Sequence, residues 1–385
     1  MEKGKKKCLL ILTRFPYPPI GGDKLKSYHL VLILSRVYDL NIIVITEEVI
    51  NDELKVFFIN NDIKYKVFTF KKYRFYLNTL LGLFSKRPLQ VSYYSFRSVK
   101  KFIASDVINY DLVIANLIRT ANYILDCDKN KYLDIVDSIA LNYQRSINNV
   151  DSYFWKLIYR IETPRLLKFE KECVQSFRNT FYVNKNESEY WSNFGKTTWI
   201  PNGVNKKLLT YSTYNPKYKS GIAFFGKMDY QPNIDAVKWF VQNVLPSLKK
   251  EIKLYIVGTS PTTEIRKLSQ LNNVIVTGFI EDPYEYLNSC KLIIAPMQTG
   301  AGIQNKILES MAIGKTVVTT SLGASPIIGS KNLEHLVVID NPLEMSNYIN
   351  DSSISELARI GENARDFIKK HYTWELYEKE LIKIL

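Results

Sequence analysis

The chain has 385 residues, 46% of them apolar and 23% charged, which excludes a disordered or fibrous protein and leaves room for two domains of ordinary size. Lysine and arginine outnumber aspartate and glutamate by 52 to 38, a net charge of +14. That excess suits a polyanionic partner (nucleic acid, an anionic membrane, a phosphorylated substrate) or reflects only a lysine-rich composition with no specific partner.

The basic start "MEKGKKKCLLILTRF" runs into an apolar stretch too short for a signal peptide and without a cleavage site, so it reads as a first strand. Similar short apolar runs follow at 41–46, 65–70, 110–116, 132–138 and 179–184. Helical patterns fall between them, at 24–38 and over a long stretch at 152–177. "TTWIPNGVNKK" (197–207) interrupts this rhythm with Pro201, Asn202 and Gly203, which places a domain join there. The second half alternates more cleanly: "GIAFFG", "KLYIVG", "NVIVTGF", "KLIIAPM", "KTVVTT" and "HLVVID" read as buried parallel strands. Between the first two, Ile234, Val237, Phe240, Val241 and Val244 recur at helical spacing. Both halves are therefore expected to be doubly wound α/β domains facing a cleft, with ligands at the strand carboxyl ends. No run approaches the roughly 18 apolar residues of a spanning helix, so a cytoplasmic location is expected, with peripheral attachment to the plasma membrane as an addition. Cys8, Cys127, Cys173 and Cys290 have neither metal-ligand nor redox spacing and read as thiols in a reducing compartment.

The most informative stretch is "GAGIQNKILESMAIG" (300–314), between the strands "KLIIAPM" and "KTVVTT". Gly300 and Gly302 between a strand and a helix let a ligand reach the first free backbone N–H groups, which favour anions. The pattern is a dinucleotide fingerprint lacking its third glycine. It sits late in the chain, and the next strand ends without the acidic residue that would bind an adenosine ribose. Lys306 and Glu309, one turn apart, suit a phosphate and a ribose hydroxyl respectively, or form an ordinary solvated pair.

Taken together, "IPNGVN", "FFGKMDYQPNIDAVKWFVQNVLPSL", "LYIVG" and "VIVTGFIEDPYEYLNSCKLIIAPMQTGAGIQNKILESMAIGKTVVTT" resemble the nucleotide-sugar-binding half of GT-B glycosyltransferases, specifically retaining family 4, also called glycosyltransferase group 1. The likeness covers about 200–325. More loosely, "RFPYPPIGGDKLKSYHL" resembles the family's first glycine-rich loop, and "HYTWELYEKELIKIL" its terminal helix, which crosses back onto the first domain. The resemblance implies an acceptor-binding domain over 1–200 with a returning helix at 371–385, and a donor domain over 201–370.

Its implied roles fall on single positions. Glu309 matches the second carboxylate of a Glu-x7-Glu motif that holds the donor ribose; the first would fall at Ala301 and is absent, with the backbone of Gly300, Gly302, Ile303 and Gln304 expected in its stead. Lys227, after Gly226, matches the base that meets the diphosphate. Asp229 lies where the family's second lysine is sought, which leaves Lys306 as substitute. Gly278 and Phe279 match the segment that reads the nucleobase, and Gly21 and Gly22 the loop beside diphosphate and acceptor. Where the family has a histidine bordering the sugar, this chain offers Asp137, otherwise a strand-end aspartate capping the next helix.

The resemblance further implies a front-face reaction on a UDP- or GDP-sugar, a carbohydrate or lipid-linked acceptor, and no cofactor or metal. Bacterial capsule, O-antigen or exopolysaccharide assembly is the expected setting. Asp126-Cys127-Asp128 is read as surface, and His29, His335 and His371 as structural. Residues 71–103 interleave Lys and Arg with Tyr, Phe and Leu, either as an interfacial patch for anionic lipid or as core helices with basic outer faces. Two other classes stay open. A two-domain NAD-dependent oxidoreductase needs an early fingerprint that "PPIGGDK" does not supply. A nucleic-acid-binding protein would explain the charge, but the excess reads as dispersed and no binding module is present.

Overall fold

The computed structural model describes residues 5–19, 22–147, 153–300 and 302–385. Two of the expected positions, Gly21 and Ala301, lie outside them. The chain divides into two compact units, Met1–Ile200 and Pro201–Leu385.

The first unit is built on a parallel sheet of seven strands: β1 (Lys7–Leu12), β2 (Asp39–Thr46), β3 (Lys64–Thr69), β4 (Leu112–Asn116), β5 (Asn130–Asp134), β6 (Asn179–Tyr182) and β7 (Thr197–Trp199). Their order is β3-β2-β1-β4-β5-β6-β7. β1 and β4 lie at its centre, where helices cover both faces, and every residue of β4 is buried. The edge strand β7 was not anticipated. It is three residues long, pairs only with β6, and carries two threonines where an apolar run would signal a strand.

The second unit holds a parallel sheet of six: β8 (Ile222–Phe225), β9 (Leu254–Val257), β10 (Val274–Gly278), β11 (Leu292–Ala295), β12 (Val317–Thr319) and β13 (Val337–Val338), in the order β10-β9-β8-β11-β12-β13. Each apolar run of the second half supplies one strand; the last shrinks to two residues because β13 is an edge with β12 as its partner. Helix Gln231–Asn243 packs Ile234, Val237, Phe240 and Val241 into the core, and Val244 follows them. Burial of each such side chain contributes about 2 kcal/mol before conformational entropy is subtracted.

The two units divide between Ile200 and Pro201. Gly203 is needed there, because a Cβ would lie 2.2 Å from the backbone nitrogen of Trp374. Val204 N–H donates to the Tyr372 carbonyl at 2.9 Å. These contacts group residues 371–385 with the second unit, whereas the sequence reading assigned them to the first.

In each sheet the strand order reverses once, between β1 and β4 and between β8 and β11. The carboxyl ends of those strands are where open α/β sheets bind ligands.

Candidate active site

In the second unit two loops meet at the reversal point. The loop after β8 carries Gly226 and Lys227; the loop after β11 carries Gly300, Gly302, Ile303 and Gln304. Gly226 and Gly258 are locked to each other, since a Cβ on Gly258 would lie 1.7 Å from the Gly226 carbonyl oxygen. Gly300 takes φ +90, and a Cβ there would touch Pro232 at 3.4 Å. That contact is an ordinary one; it is the positive φ that glycine adopts here without strain.

Helix Asn305–Ala312 begins at this point with Gln304 as its N-cap residue. The Gln304 side chain makes no capping bond. Its amide donates to the Gly302 carbonyl at 3.1 Å, and its oxygen accepts from Lys306 Nζ at 2.9 Å. Lys306 Nζ also donates to Asn233 Oδ1 at 2.7 Å, lies 3.8 Å from Met297 Sδ, and sits 5.6 Å above the Phe224 ring. Asn233 is itself buried and held by a bond to the Lys227 carbonyl at 2.8 Å. The ammonium is gripped by neutral amide oxygens, which orient its charge without cancelling it. Burial pulls it down to about 7, against the opposing pull of Glu309.

Glu309 lies one turn further along and looks toward Tyr284, whose hydroxyl donates to it. Burial raises this carboxyl to about 7, while the Tyr284 bond and Lys306 pull the other way. The two side chains therefore have separate partners, unlike the solvated pair that their spacing allowed. Lys227 is exposed and pairs with Asp229 at 3.0 Å, a contact of at most about 1 kcal/mol that an incoming anion can displace. Two strands away at the edge, Gly278 (φ +71) ends β10 with open space where its Cβ would be, and Phe279 is 74% exposed. At about 4.8 Å per strand this edge lies roughly 10 Å from the end of β8, comparable with the extent of a nucleoside.

Three members of the constellation escaped the sequence reading. Asn233 sits in the first turn of a helix, where an asparagine ordinarily reads as exposed. Tyr284 opens a short helix within an acidic, tyrosine-rich stretch. Asn202, of "IPNGVN", is buried, donates to Asn305 Oδ1 at 3.2 Å, and leaves its own Oδ1 without a partner. Only the Pro-Asn-Gly punctuation hinted at it.

Residues 219–352 match the family described as glycosyl transferases group 1. The second unit carries a group 1 glycosyltransferase domain. Over 384 residues it is 26% identical to an uncharacterized 44.6 kDa protein of the cps region of Klebsiella pneumoniae, covering 95% of this chain and 96% of that one. Over 105 residues, 26% of this chain and 28% of the other, it is 30% identical to the N-acetylgalactosamine-N,N'-diacetylbacillosaminyl-diphospho-undecaprenol 4-alpha-N-acetylgalactosaminyltransferase of Campylobacter jejuni. Among solved structures, sucrose-phosphate synthase from Thermosynechococcus elongatus superposes with a TM-score of 0.71 at 14% identity over 99% of this chain and 98% of the other. Anabaena HepE, solved with UDP and glucose, gives 0.66 at 16%, with 98% of each chain covered. The fold of the glycosyltransferase is GT-B, as its motifs implied, and the oxidoreductase and nucleic-acid alternatives fall with that assignment.

In the first unit, Gly22 opens helix Gly22–Val37, and Asp137 follows β5. Asp137 does not cap the next helix; Ser138 does, accepting from Leu141 N at 3.3 Å. Asp137 Oδ1 is buried without a partner, and burial raises its carboxyl against the pull of Lys26 and Arg145. Two buried carboxylates close the N-terminus of this helix: Glu187 accepts from Ser138 N at 2.6 Å and Glu170 from Ala140 N at 3.0 Å. Lys26 is buried in an ion pair with Asp134. Asp126 is exposed beside Lys100. His335 stacks on Phe367 at 4.5 Å, His371 leans on the same ring, and Tyr28 meets His29 edge-on. Among the described residues no group of three acidic, cysteine or histidine side chains is placed to hold a metal ion. No described helix is long and apolar enough to cross a membrane.

Proposed function

We propose that the enzyme transfers a sugar, with retention, from a UDP- or GDP-sugar to a glycan or lipid-linked acceptor in bacterial surface polysaccharide synthesis. The observation that carries this reading is Lys306, a cation held by two amide oxygens at the start of a helix, one turn from the carboxylate of Glu309, which this reading assigns to the ribose. In this reading the bond from sugar C1 to the diphosphate oxygen breaks while the acceptor oxygen bonds C1 on the same face. The acceptor proton passes to the departing diphosphate. Lys227, Lys306 and the first N–H groups of helix Asn305–Ala312 offset the charge that develops, each contributing about 3 kcal/mol. Gly278 and Phe279 read the base, and Gly300 to Gln304 supply backbone contacts to the sugar.

Acceptor binding belongs to the first unit. There a cavity of about 230 Å³ opens at the ends of β1 and β2, lined by Arg14, Lys24, Glu47, Tyr93 and Tyr94 among others. That mixture of aromatic faces with groups of both charges suits a sugar. Asp137, beyond β5, is the acidic group proposed to face the reacting sugar. The cps-region relative and the Campylobacter transferase support the polysaccharide setting, and the latter's name supports an acceptor carried on a lipid diphosphate.

Thermal melting with UDP, GDP and NAD tests the reading. One of the two diphosphates should raise the melting temperature and NAD should not; a shift with NAD alone would overturn it. Lys306→Ala and Glu309→Ala should each stay folded yet lose that shift and lower turnover about a hundredfold.

A further inference from the structure

Helix Lys72–Leu83 is folded the wrong way round for a lone globular domain. Its large apolar residues, continued by Phe84, recur at 73, 76, 77, 80, 81 and 84, the spacing that normally marks a core-facing stripe. All of them are exposed, Leu81 by 70% and Phe84 by 94%. The unit buries only Phe75 and Gly82 of this helix. Gly82 is pressed so close to the next helix that a Cβ would lie 2.5 Å from that of Ser92, so the outward face is firmly seated.

A second exposed apolar stripe meets it. Helix Tyr153–Ser176 begins with Phe154, Trp155, Leu157 and Ile161, all half or more exposed or close to it. Arg165 Nη2 donates to the Leu83 carbonyl at 3.0 Å, and Leu89 N–H donates to Glu162 at 2.6 Å, which ties the two helices together where the stripes converge. Nearly half of the exposed large apolar side chains of the described chain lie in these two short segments.

The charge around them identifies the occupant. Residues 63–105 contain ten Lys and Arg and no Asp or Glu, so most of the +14 is concentrated here and is not dispersed as the sequence first suggested. Some of these cations are engaged, Arg74 over the Phe70 ring and Arg87 with Glu172, but Lys71, Lys72, Lys86 and Arg160 are exposed beside the apolar stripes. Glu162, which follows the second stripe directly, is buried and paired with Arg165. A second copy of this chain would bring the same positive charge to the contact. An anionic bilayer meets all three features, because apolar side chains enter the acyl boundary, Tyr and Trp favour the headgroup level, and cations are drawn to the surface.

We propose that the first unit docks on an anionic lipid surface through the paired apolar faces of helix Lys72–Leu83, with Phe84, and residues 153–161. Phe75 and Tyr93, on this helix and the one that follows, also line the cavity assigned to the acceptor, so docking would hold that cavity at the lipid surface. That last consequence rests on the proposed function; the docking surface does not.

Cosedimentation of the full-length protein with phosphatidylglycerol and with phosphatidylcholine vesicles tests it. Binding to the anionic vesicles should exceed that to the neutral ones by about tenfold or more and weaken in high salt. A Leu80→Asp/Leu81→Asp variant and a Trp155→Ala/Leu157→Asp variant should each lose most of the binding while keeping the wild-type melting temperature and its shift with nucleoside diphosphate. Equal binding to both vesicles, no binding to either, or wild-type binding by both variants would overturn the proposal. So would a concentration-dependent dimer that the same variants dissolve. The diphosphate shift is read on the same samples, so loss of the donor reading and loss of the docking surface are distinguishable.

Discussion

At the scale of single residues, Lys306 and Glu309 are partly buried charges whose shifts oppose each other, and ligand binding should move protons through them. Burial holds the free Lys306 near 7, so at about pH 8 it is mostly neutral. A diphosphate beside it favours the ammonium, raises its pKa, and must draw a proton from solution. Glu309, also near 7, behaves in the opposite sense: ribose hydroxyls favour its carboxylate, so below about pH 7 binding releases a proton. Calorimetry of UDP binding should therefore show net uptake at about pH 8, visible as an enthalpy that changes with the ionisation heat of the buffer. Lys306→Met should abolish that dependence and Glu309→Gln should not. Apparent affinity should fall by up to tenfold per pH unit once Lys306 is deprotonated. Lys306 and Glu309 were legible in the sequence as types at a helical spacing. Their partners, Asn233, Gln304 and Tyr284, come from three other segments, and spacing along one helix carries no information about them.

At the scale of elements, the donor site depends on strand ends approaching more closely than any side chain permits. Gly258, at the end of β9, packs directly on the Gly226 carbonyl at the end of β8, in a left-handed conformation. Gly258→Ala should cost about 3 kcal/mol or more, lower the melting temperature by roughly 10 °C, and weaken UDP binding by displacing Gly226. Gly278 supplies the contrast. Its φ is also positive, but nothing lies within 4 Å of a Cβ there, so Gly278→Ala should cost only the backbone term of about 1–2 kcal/mol. Paired melts of the two variants check the difference. "KLYIVG" and "VTGF" look alike on paper, and only the packing distinguishes an obligatory glycine from a preferred one. Strand β7 was missed for a related reason: Thr197–Trp199 is held by hydrogen bonds to β6 and needs no apolar run of its own. Glu170 and Glu187 were equally hidden, since burying an acid against another helix's N-terminus leaves no mark in the local pattern.

At the scale of the whole molecule, every proposed donor residue from Gly226 to Glu309, and Asn202 beside them, lies between Pro201 and Leu385, a unit with its own sheet and core. A chain shortened to those residues should fold and bind UDP within about tenfold of the full protein, or 1.4 kcal/mol, and should not pellet with anionic vesicles. Loss of UDP binding in a folded fragment would mean that the donor site requires the first unit. The sequence by itself determined the α/β class, most of the strands, and the glycosyltransferase motifs from "FFGK" to "ILESMAIG". Those are properties of local periodicity, turn chemistry and order along the chain. Only the tertiary structure decided which groups hold Lys306, that Ser138 rather than Asp137 caps its helix, and that the apolar stripe of helix Lys72–Leu83 faces outward. Hydrophobic spacing shows that a stripe must be covered, and the chain's three-dimensional path shows whether its own core does the covering.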